Sequence, residues 1–138
     1  MRSCASIMDE QEDDIMAYSQ EQIAELLQID QNMGISYCAD SRDVYIEMLQ
    51  IYVEQGEENL TKLPEMVATG DWKNYAVSVH GLKSTSLTIG AAAFSAKAKE
   101  QELAAKAEEI DYIKDSYEEF LQVYRKVLAT AQSIITEG

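Results

Sequence analysis

Apolar residues recur at spacings of three and four along most of this chain, the period of an amphipathic helix rather than a strand. Tyr45, Met48, Leu49, Tyr52, Gly56, Leu60, Leu63 and Val67 form one such stripe. Ile113, Tyr117, Phe120, Tyr124, Val127, Leu128, Ala131 and Ile134 form another, the cleanest in the chain. Asp40 or Ser41 stands where the first of these helices needs an N-cap. Pro64 inside it predicts a kink or a split, because the ring clashes one turn back and lacks a donor. Thr69-Gly70-Asp71 then punctuates the pattern, with a Gly past one helix end and an Asp cap for the next. Beyond it the spacing predicts a helix from Trp72 to about Ile89, an interruption at Gly90, and an Ala-rich helix from about Ala91 to Lys106. Asp111 opens the last helix. Upstream, Ser19 and Gln22 have the spacing of a capping box ahead of Ile23, Leu26 and Leu27, and Gly34 closes that shorter region.

Helices with short connections pack as antiparallel neighbours. The expected fold is all-α: an antiparallel four-helix bundle with a shorter extra N-terminal helix. Residues 1–14, MRSCASIMDEQEDD, read as a flexible acidic lead-in or linker, and residues 15–138 as a single bundle. Composition agrees. With 6 Gly and 1 Pro in 138 residues, the chain lacks the turn formers an all-β domain would consume. Apolar residues at 46% are enough for a core.

Charge narrows the function. Eleven Lys and Arg against 25 Asp and Glu give a net charge of −14, which phosphate backbones and anionic headgroups repel. Nucleic-acid binding is therefore not expected. No apolar run reaches the length of a membrane span and no signal peptide opens the chain, so a cytoplasmic setting without membrane insertion is expected. Cys4 and Cys38 read as reduced thiols. The acidic clusters at Asp9–Asp14 and Glu57–Glu58 read as solvated surface.

His80 is the only histidine, and that excludes much chemistry. A di-iron bundle needs two Glu-x-x-His motifs, and Val77 stands three before His80. No zinc-ligand spacing, nucleophile elbow or phosphate-cradling Gly loop is present. On a helical wheel with His80 at zero, Tyr75, Val79, Leu82, Ser86 and Ile89 fall at about 180° to 260°, the core side. Ala76, Lys83, Ser84 and Leu87 fall within about 60° of His80. The histidine thus faces solvent. A solvated imidazole is largely neutral near pH 7 and its ring nitrogen can attack an electrophile. Lys83 could hold a phosphoryl group, and small Ala76 and Ser84 would leave room for a partner's active site. Leu87, apolar on the same face, is a candidate docking contact.

The string Val79-His80-Gly81-Leu82-Lys83-Ser84-Thr85-Ser86-Leu87-Thr88-Ile89-Gly90-Ala91 resembles the signature of histidine-containing phosphotransfer (HPt) domains, His-x-Leu-Lys-Gly-x-(Ser/Ala)-x-x-(Leu/Ile)-Gly-Ala. His80, Leu82, Lys83, Ser86, Ile89, Gly90 and Ala91 match it. Asp71-Trp72-Lys73-Asn74-Tyr75 is similar to the approach to the phosphoacceptor helix in bacterial members. The similarity runs from about Ile29-Asp30 to the end of the chain. There are three departures: Ser84 where Gly is usual, Val79 where Ala is common, and Gln101 in Phe94-Ser95…Ala98…Gln101-Glu102 where the family has a core Leu.

The resemblance implies a phosphorelay intermediate, as a module of a hybrid sensor histidine kinase or free-standing. A response-regulator receiver domain would pass a phosphoryl group from its Asp to His80, and His80 to a second receiver. Lys83 would stabilise the phosphoryl group, and Ala76, Ser84, Leu87 and Gly90 would lie at the docking face. The chain would carry no cofactor of its own, with Mg²⁺ on the receiver, and would act as a monomeric phosphocarrier and not an enzyme. A histidine-kinase dimerisation fragment fits less well, since Gly81 follows His80 where an acidic residue and a Pro are usual. A helical adaptor without phosphotransfer is the other alternative.

Overall fold

In the computed structural model, which describes residues 27–137, the first three helices each start at a side chain that accepts a backbone N–H one turn on. Asp30 caps α1 (Gln31–Tyr37) through the Met33 amide at 3.0 Å. Ser41 caps α2 (Arg42–Thr69) through Val44 at 3.2 Å, so of the two candidates it is the cap. Asp71 caps α3 (Trp72–Thr88) through Asn74 at 3.3 Å, directly after Gly70 ends α2 in the left-handed conformation at φ 73°. α4 (Ala92–Lys106) and α5 (Ile110–Glu137) complete the described chain. Among the described residues there is no strand, and no helix is long and apolar enough to cross a membrane.

Helices α2, α3, α4 and α5 pack in a ring, each against the next and α5 back against α2, with α1 lying on α2 and α3. This is the expected four-helix bundle with its extra helix, with two local corrections. α2 runs unbroken through Pro64, so of the expected kink or split the split does not occur. The ring removes one backbone donor, but Leu63 and Val67 continue the buried stripe on either side and hold the final turns in place. The extra helix of the described chain is α1, and Gly34 lies inside it rather than at its end. A Cβ there would collide with the Tyr45 ring and sit 2.7 Å from the Ile89 carbonyl oxygen, so contact and not termination selects this glycine. The capping box at Ser19 and Gln22, Cys4 and the acidic lead-in lie outside the described residues.

Both predicted stripes are the core, with Met48, Leu60 and Tyr117 only partly covered. Phe94 of α4 stacks on Phe120 and Tyr124 of α5, with ring centroids 5.2 and 5.4 Å away, and Tyr52 of α2 meets Tyr124 edge-on. The tyrosine hydroxyls buried in this core have partners. Tyr45 donates to the Ile89 carbonyl at 2.8 Å, Tyr52 pairs with Ser86 Oγ at 2.8 Å, and Tyr124 accepts from Asn59 at 3.1 Å. Burial pushes the Tyr45 and Tyr124 hydroxyls up to about 12, so they stay neutral donors or acceptors.

Gln101, the departure from the family's Leu, is buried yet hydrogen-bonded at both ends of its amide. Tyr75 donates to its Oε1 at 2.7 Å, and its Nε2 donates to Ser116 Oγ at 2.8 Å. The amide therefore bridges α3, α4 and α5. Gln101→Leu is expected to lower stability by about 1–3 kcal/mol, because the buried Tyr75 hydroxyl is left unsatisfied. Thermal melts should show that loss largely recovered when Tyr75→Phe is added, as both ends of the hydrogen bond are then apolar.

Candidate functional site

The site is built where α3 and α4 lie side by side. Tyr75, Val79, Leu82, Ser86 and Ile89 are all buried, which fixes the rotation of α3 and turns His80 outward. Its side chain is 57% exposed. Ser95 Oγ of α4 donates to the Lys83 carbonyl at 2.7 Å and ties the two helices together one turn beyond the histidine. Next to the ring, Gly81 faces open space.

The residue that organises this site is not one of the candidates drawn from the sequence. On α4, Phe94, Ala98, Gln101 and Ala105 lie on the covered side, and Glu102 lies with them. Its side chain is only 4% exposed, and three donors converge on its carboxylate. His80 Nδ1 stands 2.8 Å from Oε2, Lys83 Nζ 3.1 Å from Oε1, and Lys106 Nζ 2.9 Å from Oε2. The hydrogen bond from Lys106, with those from Lys83 and His80, outweighs burial and holds the carboxyl down at about 2. Glu102 is thus an ionised, acceptor-only group. Its contact with His80 requires the proton of the neutral imidazole to sit on Nδ1 and leaves the lone pair on Nε2. Nε2 has no hydrogen-bond partner among the described residues.

The predicted site residues divide. His80 and Lys83 are brought together, but Lys83 is no free surface cation: it is 27% exposed and engaged with Glu102. Ser84 is exposed, with its hydroxyl 3.4 Å from the His80 carbonyl, and Leu87 is 41% exposed as the helix phase required. Ala76 is 8% exposed, lining a cleft with Trp72, Val77, Ala105 and Lys106, where the wheel had placed it on the open face. α4 covers what the wheel of a lone helix leaves bare. Gly90, expected at the docking face, is buried: its carbonyl accepts the Asp30 amide at 2.9 Å, and a Cβ would meet the Asp30 carbonyl. At φ 97° it makes the tight turn that returns α4 against α3. Among the described residues no cluster of His, Cys, Asp and Glu could hold a metal ion.

A signal for Glu102 does exist in the sequence. A carboxylate on the apolar stripe of an Ala-rich helix is costly unless paired, so it marks either a structural ion pair or a functional group. With its carboxyl depressed from the usual 4.5 to about 2, Glu102 contributes stability above the higher value that is lost as pH falls through the lower one. Acid titration followed by circular dichroism should show wild type losing stability between about pH 4.5 and 2, and Glu102→Gln should lack that component. In the same variant, ¹⁵N NMR of the single imidazole should show the proton no longer confined to Nδ1.

A family model for the Hpt domain matches residues 47–130, a span that runs from within α2 to within α5 and contains the whole site. No curated protein and no solved structure matches the chain. The bundle, the outward histidine on α3 and this match lead to one assignment: the chain belongs to the histidine-containing phosphotransfer (Hpt) domain family, the phosphotransfer modules of phosphorelays.

Proposed function

We propose that His80 is the phosphoacceptor, taking a phosphoryl group from the aspartyl phosphate of a receiver domain and handing it to another. The observation that carries this is the 2.8 Å contact between Nδ1 and the buried Glu102, on a ring more than half exposed. The Nε2 lone pair attacks phosphorus, the P–O bond to the receiver's Asp breaks, and the carboxylate leaves with the electron pair. While Nδ1 keeps its proton, the ring carries positive charge in the product, and the adjacent carboxylate stabilises that charge. The same charge makes the ring a good leaving group in the reverse step, which suits a carrier. Lys83 lies on the same carboxylate and supplies a cation for the phosphoryl oxygens. Mg²⁺ belongs to the receiver's site in this reading, and any nucleotide chemistry belongs to another domain or protein. The bundle contributes positioning and charge, the two things phosphoryl transfer needs from it.

Incubation with a receiver domain that has been phosphorylated in the presence of Mg²⁺ tests the reading. Wild type should acquire an acid-labile label, and His80→Gln should acquire none while keeping its helical circular dichroism, since the side chain faces solvent. An acid-labile label on the Gln variant would overturn the assignment.

Leu87→Glu should leave the melting temperature nearly unchanged and weaken receiver binding by roughly five- to thirtyfold. An exposed apolar contact in a small interface typically contributes about 1–2 kcal/mol. Titration of the receiver and a thermal melt together check it: undiminished affinity would remove Leu87 from the docking face.

A further inference from the structure

Lys106 has no task in the reaction as written, yet it shares the oxygen of Glu102 that His80 uses. Its side chain is 62% exposed, and an i,i+4 pair between exposed groups would have little effect. This partner is different, because Glu102 is 4% exposed and its charge must be matched at all times. Among the described residues the ion pairs of Glu102 are with His80 and Lys83 from α3 and with Lys106 from its own helix.

Resting on the phosphoacceptor reading, we propose that Lys106 is a positioning residue that holds the charge of Glu102 while Lys83 leaves it for the phosphoryl group. The conflict it resolves is visible in the distances. Lys83 Nζ is on Oε1 at 3.1 Å, and a contact with phosphoryl oxygens on Nε2 requires it to let go. Without Lys106 that move would strand a buried carboxylate with one N–H donor, so Lys83 would stay where it is. With Lys106 on Oε2, the carboxylate keeps a cation and Lys83 is released. The carboxylate lies between two lysines on opposite oxygens, one 27% exposed beside the histidine and one reaching in from the last turn of α4.

The experiment uses phosphoramidate as a small donor, so that no receiver contact enters the rate. Nε2 attacks phosphorus, the donor's P–N bond breaks, and nitrogen leaves with the electron pair as ammonia after taking a proton from solvent. Formation of phosphohistidine is followed by ³¹P NMR in four proteins: wild type, Lys106→Met, Glu102→Gln, and the double variant. Lys106→Met should slow labelling about tenfold, the effect of removing one charge-assisted hydrogen bond at a partly exposed site. Lys106→Arg should restore the rate. In the Glu102→Gln background there is no charge to hold, so adding Lys106→Met should change nothing. Both Gln proteins avoid an unpaired buried charge and should stay folded. Equal slowing in both backgrounds would make Lys106 a structural residue or a direct phosphoryl ligand and overturn the proposal, as would a wild-type rate for Lys106→Met. Failure of wild type to label, or labelling of His80→Gln, would instead overturn the phosphoacceptor reading on which it rests.

Discussion

A carboxylate that is 4% exposed can stay ionised only if donors surround it, and this requirement shapes the middle of the molecule. Glu102 draws His80 and Lys83 from one helix and Lys106 from its own. In meeting the carboxylate's need, the three donors acquire fixed places. The imidazole is given one tautomer and one orientation, and a lysine is held next to it. The exposed half of the histidine is thereby presented as a lone pair and not as a freely rotating ring.

Such an arrangement holds only while α3 and α4 keep their register. Ten residues lead from His80 to the turn at Gly90 and twelve lead from there to Glu102, so the pair faces across a helical hairpin. A slip of one residue would rotate either side chain by about 100° and separate them. The turn is accordingly held from several sides. Tyr45 of α2 donates to the Ile89 carbonyl, Asp30 donates its amide to the Gly90 carbonyl, and α1 presses on Ile89 through a glycine. Nearer the site, Ser95 holds the Lys83 carbonyl and Gln101 holds Tyr75. The extra N-terminal helix thus acts at a distance, on the turn that aligns His80 with Glu102.

The charge balance of the chain fits the same division of labour. In a protein at −14, two of the lysines, Lys83 and Lys106, are spent on the one buried carboxylate beside His80. Around His80 on α3, a Cβ on Gly81 would meet open space, Ser84 adds a hydroxyl, and Val77 and Leu87 are exposed apolar side chains.

Periodicity by itself was enough for the helices, their buried faces and the outward direction of His80, because each depends only on which residues must leave water within a single helix. Caps were legible for the same reason: Ser41 and Asp71 act on amides three residues away. The family string around His80 could be read directly, since it is contiguous. What one helix cannot show is what its neighbour covers. The closing of Ala76, the burial of Gly90 and the passage of α2 through Pro64 follow from packing against other elements. Gly34 looked like a helix end because glycine often is one, whereas the contact that selects it comes from Tyr45 and Ile89, far along the chain. Glu102 is the largest case. Its i,i+4 pair with Lys106 is written in the sequence, but its union with His80 and Lys83 exists only once the Gly90 turn lays α4 on α3, because nineteen and more residues separate groups that share one carboxylate.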